Sequence, residues 1–427
     1  MKDAIVRDGR ARGRTAAECL DKAVTMPQMH RARGEAGRLF TAQLAAHALF
    51  YVSFPIRGIL EVDAAHYLTF VGLLAFGSVG WLIWYGRARR VGLFAVATAL
   101  YIWLAIRGIL RGNWLTFWGA DAIFFTQIFG IGIGLVKSGF KRTMAVYVRL
   151  FIWFLPVAAI GMLVGIQPSL PGHERLVGSL SSFTVLSVVM PSLYLALADE
   201  WLGTWEKRAV MVGLALVVLF GVFTQTRGAV LWPVVILSFR FFLFPRKRVW
   251  SSSFKFIIAA AGVFAIAAAI WSSRAVDVSS EGLTARWEQP NLSSGRDEEG
   301  EWVLGHLSNT ELVTGRGFGG SYQPSPKMFR GLSSPHGRFM VHFVRVHLMM
   351  KGGWILLALL SVIVLLAGLH GWQSHEYSDR VALGVLALFV MLNFAHEQFT
   401  GSVMTPLAFV AVGQLLRSED HGYSTQS

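Results

Sequence analysis

Residues 334–357 read SPHGRFMVHFVRVHLMMKGGWILL, a polar turn that passes through a mixed stretch into an unbroken apolar run. Crossing a bilayer takes about 20 mostly apolar residues, and the run from Gly352 to Leu369 supplies such a segment. Upstream, from Trp271 to Met340, the chain is polar for roughly 65–70 residues, far longer than a usual connection. Binding and catalytic groups collect on long loops held by a rigid scaffold. The passage therefore joins an expected working loop to an expected membrane span.

The rest of the chain agrees with that reading. Hydrophobic residues make up 54% of the 427 positions and charged residues 15%, against about 25% charged in soluble domains. Apolar stretches suited to spanning lie near 39–55, 66–85, 91–107, 114–136, 144–165, 179–198, 208–224, 228–244, 256–272, 352–369, 381–396 and 402–416. The expected fold is all-α, a polytopic bundle of about twelve transmembrane helices with one long loop on the outer side.

Charge sets the orientation. Alternate connections carry Arg87, Arg89 and Arg90, then Lys137, Lys141 and Arg142, then Lys207 and Arg208, then Arg246, Lys247 and Arg248. By the positive-inside rule these loops and both termini are cytoplasmic, and the long loop is periplasmic or its equivalent. The net charge of +14 follows from this orientation, so no nucleic-acid partner is expected. The layout becomes a basic cytoplasmic tail over 1–38, nine spans over 39–272, and a loop with an interfacial helix over 273–351. Three further spans over 352–416 and a cytoplasmic tail over 417–427 complete it. No secretory signal is expected in the basic tail, and Cys19, the one cysteine, excludes an internal disulfide or a cysteine metal site.

Chemistry is expected in the loop and at outer helix ends. Ser334 suits an N-cap and Pro335 a first helical position, so a helix is predicted from there. His336 would stand in its first turn, where the helix dipole favours neutral imidazole, able to take a proton. From Gly337 to Met350 the same helix would align Arg338, His342 and Arg345 at i, i+4 and i+7, a polar stripe suited to a wet groove. No histidine pair has metal-ligand spacing, and no metal or cofactor is expected.

Arg227, in TQTRG, closes a tight connection between two spans; it either snorkels to the interface or faces an anion. Arg296, in SSGR, adjoins Asp297, Glu298, Glu299 and Glu301, so it is a binding cation or one charge in a solvated run. The cluster Gly315-Arg316-Gly317-Phe318-Gly319-Gly320 reads as a flexible turn returning the chain to the membrane. Asp121 and Glu397 are acids in or beside spans, either functional or paired with an arginine inside the bundle.

Taken in order, TQTRGA, then SSGR with Trp302 six residues on, then TGRGFGG, then SPHGRF leading into a span resemble the O-antigen ligase and polymerase family of membrane glycosyltransferases. The motif likeness covers about residues 220–360 and the hydropathy likeness nearly the whole chain. The resemblance implies a GT-C-like helical bundle in a bacterial inner membrane. It implies transfer of a glycan from undecaprenyl diphosphate to a sugar hydroxyl on the lipid A core or on another lipid-linked glycan. Carried onto this chain, His336 would be the general base, and Arg227 and Arg296 would hold the diphosphate. The pattern differs at Gly337, where the family often has asparagine, and at Lys351, where it often has an acid. A lipid-linked oligosaccharide flippase or other secondary transporter is the expectation of a different class, and would place its ionisable residues at the bilayer midplane.

Overall fold

A computed structural model describes residues 91–135, 139–149, 152, 193–194, 197–223, 243, 296–325, 336–338, 340–341, 343–395 and 404–417. The spans expected over 39–55, 66–85 and 256–272, most of those over 144–165, 179–198 and 228–244, and Arg227, His342 and Glu397 lie outside the described residues.

The described residues are helical, with no strand among them; an isolated antiparallel bridge joins Tyr322 to Arg338. Helix α1 runs Val91–Leu110 and α2 runs Leu115–Thr126; a 3-10 turn, Gln127–Phe129, leads into α3, Gly130–Gly134. After a helical stretch over 139–149 come α4, Thr204–Phe223, then α5, Arg296–Gly305, and α6, Asn309–Thr314. Helix α7 runs Val344–Gln373, α8 Tyr377–Ala395 and α9 Met404–Leu416.

Helix α7, at 30 residues, is the one described helix long and apolar enough to cross a membrane; Val96–Leu110 and Thr405–Leu416 are apolar but shorter. Its buried stripe is Leu356, Leu360, Ile363 and Ala367, at i, i+4, i+7 and i+11, turned to the core. The opposite side is equally apolar, with Ile355, Val362, Leu365 and Leu369 exposed. Helices with no polar face are stable only where their surroundings are apolar. Trp354 and Trp372 are both exposed, and 18 residues of helix separate them by about 27 Å, close to a hydrocarbon core. Tryptophan is enriched at membrane–water interfaces, so this spacing is consistent with a spanning helix.

Small residues let the helices touch backbone to backbone. A Cβ on Gly134 would stand 1.9 Å from the Val410 carbonyl oxygen, and one on Gly413 would stand 2.1 Å from that of Ile131. Gly130 and Gly134, four apart, thus seat α3 against α9 in the small-xxx-small manner common between membrane helices. The stretch expected as one span over 114–136 is therefore helix, 3-10 turn and short helix.

Polar contacts gather at two opposite ends. At one, the α1–α2 turn, the loop containing α5 and α6, and the start of α7 meet. At the other, the Tyr377 hydroxyl donates to the Leu197 carbonyl (2.9 Å), Gln414 Nε2 to Asp379 Oδ1 (2.7 Å), and Lys141 stands 5.5 Å over the Trp201 ring.

Candidate active site

The loop reaches the first of these ends through α5 and α6. Ser308 caps α6: its hydroxyl accepts from the Glu311 N–H and the Glu311 carboxylate accepts from the Ser308 N–H, the reciprocal capping box. The same carboxylate takes Arg111 Nη1 at 2.7 Å and Arg316 Nε at 3.1 Å. Burial alone would raise the Glu311 pKa; the Ser308 N–H and the Arg316 guanidinium outweigh it and hold it below the ordinary value. Arg107 Nε donates to the Gly315 carbonyl at 2.7 Å, and Arg316 also donates to the carbonyls of Ser321 and His306.

The glycine cluster was expected to be flexible. It is instead wedged between α1 and α7. Gly315, Gly317 and Gly319 have φ of 68°, 77° and 76°, open to glycine at little cost. A Cβ on Gly315 would lie 2.2 Å from the Lys351 carbonyl oxygen, and one on Gly317 2.3 Å from the Gly108 nitrogen. Backbone bonds fasten both sides: Arg316 N–H to the Met350 carbonyl and Gly317 N–H to that of Lys351, each 2.8 Å, and Phe318 N–H to that of Leu104 at 3.0 Å. The Phe318 side chain is fully buried against Tyr101, Trp118 and Phe125. Helix α7 breaks beside the wedge at Gly353, with φ 61° and ψ −162°. The glycines serve close approach, not freedom.

Beneath the wedge lies a buried ion pair. Lys351 Nζ stands 2.6 Å from Asp121 Oδ2, with no exposed surface on either side chain. The Gly319 N–H donates to the same carboxylate oxygen (2.7 Å), and Lys351 Nζ donates to the Gly320 carbonyl (2.8 Å). Asp121 was expected either to be functional or to pair with an arginine; its ion-pair partner is a lysine. The signal was present in the sequence, since Lys351 borders an apolar span that a second intramembrane charge could pair with.

Above the wedge the chain turns outward. Tyr322 and Arg338 exchange both backbone hydrogen bonds at 2.8 Å, and Gly337, at φ 73°, lies so near Tyr322 that a Cβ would come 2.4 Å from its carbonyl oxygen. That contact accounts for glycine directly after the histidine. The bridge also corrects the expected helix over 337–350: Arg338 is extended, its N–H and C=O committed across the loop, and α7 starts only at Val344. His336 therefore stands in a turn, outside any helix N-terminus, and Arg338 and Arg345 share no helical stripe. Arg345 is exposed, its guanidinium 5.9 Å from the Phe343 ring centroid. Arg296 is the first residue of α5.

The Tyr322 hydroxyl donates to buried Glu299 through a short hydrogen bond, and burial, with Glu299 adding to it, pushes its pKa up. Trp302 Nε1 donates to the Gln323 carbonyl at 2.9 Å. His336, exposed, lies flat on Trp114 with ring centroids 4.0 Å apart and planes 10° from parallel. Sequence reasoning passed over Trp114, which nothing distinguishes from other interfacial tryptophans until the loop lands on it. Among the described residues no group of three or more histidine, cysteine, aspartate or glutamate side chains could hold a metal ion.

The arrangement offers an exposed imidazole on an aromatic platform and a rigid seat at the start of an apolar helix. Compared with family models, curated proteins and solved structures, the chain matches none.

Proposed function

We propose that this chain is a polytopic membrane glycosyltransferase that moves a glycan from undecaprenyl diphosphate onto a sugar hydroxyl at the outer face of a bacterial inner membrane. One observation carries the reading: the loop that delivers His336 is fastened to the ends of α1, α2 and α7 just before α7 enters its apolar run at Trp354. A lipid-linked diphosphate would lie at about that depth, and in this reading His336 would meet its glycan there. About twelve spans in a GT-C-like bundle, with both termini cytoplasmic, would surround it.

In the proposed step His336 removes the proton of the acceptor hydroxyl. That oxygen attacks the anomeric carbon, and the bond from this carbon to the diphosphate breaks, its electron pair leaving with undecaprenyl diphosphate. Arg227 and Arg296 would meet the growing charge, since guanidinium forks match phosphate oxygens; preorganised donors of this kind are worth about 2.7–4 kcal/mol each. Arg338 and Arg345 would border the acceptor. The acceptor is the lipid A core in a ligase and the end of a second lipid-linked glycan in a polymerase.

The test is reconstitution with undecaprenyl-diphosphate-linked glycan and a lipid A core acceptor, for wild type and His336→Ala, with products read by mass spectrometry. Glycan on the core, lost in the variant, is the expected result; longer glycan still on the lipid marks a polymerase. No new glycosidic bond with any acceptor favours the second reading, a lipid-linked oligosaccharide transporter.

A further inference from the structure

We propose that Trp114 is a positioning residue for His336, so that the site is completed only where the α1–α2 turn meets the loop. The inference rests on the function proposed above for its kinetic part alone. Two separately anchored pieces come together at this stack. On one side, the turn carrying Trp114 is tied down: the Gly112 N–H donates to the Ile109 carbonyl (2.9 Å) and the Asn113 N–H to that of Gly108 (3.1 Å). Asn113 Nδ2 then donates to the carbonyls of Arg316 (2.9 Å) and Phe318 (2.7 Å), locking the turn to the wedged glycines. The indole is held from beneath by Phe117, edge to face at 4.5 Å and 82°.

On the other side, His336 precedes Gly337 and Arg338, whose backbone is fixed to Tyr322, itself held through Glu299. This fixes where the histidine Cα stands, and the stack on Trp114 acts on the ring itself. An exposed imidazole on a turn samples several rotamers. Lying flat on an indole, with planes 10° from parallel, favours one ring plane and so the plane in which the ring nitrogens meet a proton. A general base works only when its lone pair lies within hydrogen-bond reach of the proton it takes. Trp114 touches the base and not the reacting atoms, so it acts through His336.

The test uses the full chain in nanodiscs with ring-labelled histidine. An indole face shifts the protons of a stacked ring upfield, and the resonance lost in His336→Gln identifies the residue. The wild type is expected to show this resonance upfield, Trp114→Phe to keep most of the displacement, and Trp114→Ala to lose it. In the transfer assay Trp114→Ala should lower kcat by about 10- to 100-fold with KM little changed, the effect of misplacing a catalytic group, and Trp114→Phe should restore most of it. An undisplaced wild-type resonance overturns the proposal, as does Trp114→Ala that keeps wild-type kcat. A displaced resonance in a wild type that transfers nothing sustains the stack and overturns the proposed function instead. Trp114→Phe, which keeps a ring on Phe117, guards against reading misfolding as loss of positioning.

Discussion

Lys351, on α7, and Asp121, on α2, are 230 residues apart in sequence and 2.6 Å apart in space, sealed from solvent and bridged to the backbone of the glycine loop. Two helices and a loop thus close on one pair of charges. Removing one member of a buried pair leaves the other uncompensated and costs about 3–5 kcal/mol, whereas replacing both by apolar residues is often neutral. Lys351→Met and Asp121→Leu should each lower the midpoint of thermal unfolding in detergent sharply. The double variant should recover much of the loss, short of the Gly319 N–H and Gly320 C=O it leaves without those partners. A double variant worse than the sum of the singles would show that the pair is not the unit.

The glycines make a sharper contrast. Gly108→Ala would place a Cβ 2.2 Å from the Phe318 carbonyl oxygen and 2.9 Å from its nitrogen, both backbone atoms that cannot yield cheaply. We expect a loss of about 1–3 kcal/mol or more, as in other overpacked interiors. Gly119, inside α2, has nothing within 4 Å of a Cβ, so Gly119→Ala should gain about 0.8–1.0 kcal/mol of helix propensity. Unfolding midpoints of the two variants, measured side by side, should move in opposite directions.

Acid should loosen α6 first. The Glu311 pKa is held below its ordinary 4.5. A carboxyl depressed on folding contributes stability that is complete above its unfolded pKa and is lost as pH falls through the folded one. Hydrogen exchange at 309–316 should therefore rise below about pH 4.5 in the wild type and less steeply in Glu311→Gln. Ser308→Ala should raise exchange at the same amides at neutral pH, at a cost of about 0.5–2 kcal/mol. Equal pH dependence in wild type and Glu311→Gln would remove Glu311 as the cause.

Orientation can be read in whole cells. With Cys19→Ser as background, Glu301→Cys and Arg142→Cys each place one thiol at an exposed position on an opposite end. A membrane-impermeant maleimide, applied after permeabilising the outer membrane, should label position 301 and spare position 142. Labelling of 142 alone would invert the topology and remove the loop from the periplasmic face.

Some of this was legible in the sequence. Helical class follows from apolar runs such as Gly352–Leu369, because length and composition suffice for that inference. Loop length and His336 pointed to one end of the molecule, and the described loop contacts do gather there. The start of α7 was not: Ser334-Pro335 and the run after it satisfy local rules for a helix, but the Tyr322 bridge claims the Arg338 backbone from another part of the chain. The glycine cluster misled in the same way. Gly315, Gly317 and Gly319 look like slack until Gly108 and Lys351, distant in sequence, press against them. Nor could the order of residues show that Trp114 lies beneath His336, since that contact exists only after the loop is seated.

The wedge at 315–320 also sets an order of events during synthesis. Helices α1 and α2 leave the ribosome some 200 residues before the segment that fills the space between α1 and α7. Until then Gly108 faces a gap and Asp121 has no lysine. Contacts of such sequence separation form late, so α1 and α2 must wait with an unfilled seam. A chain interrupted before Lys351 would carry that open seam, a ready mark that separates an unfinished copy from a finished one.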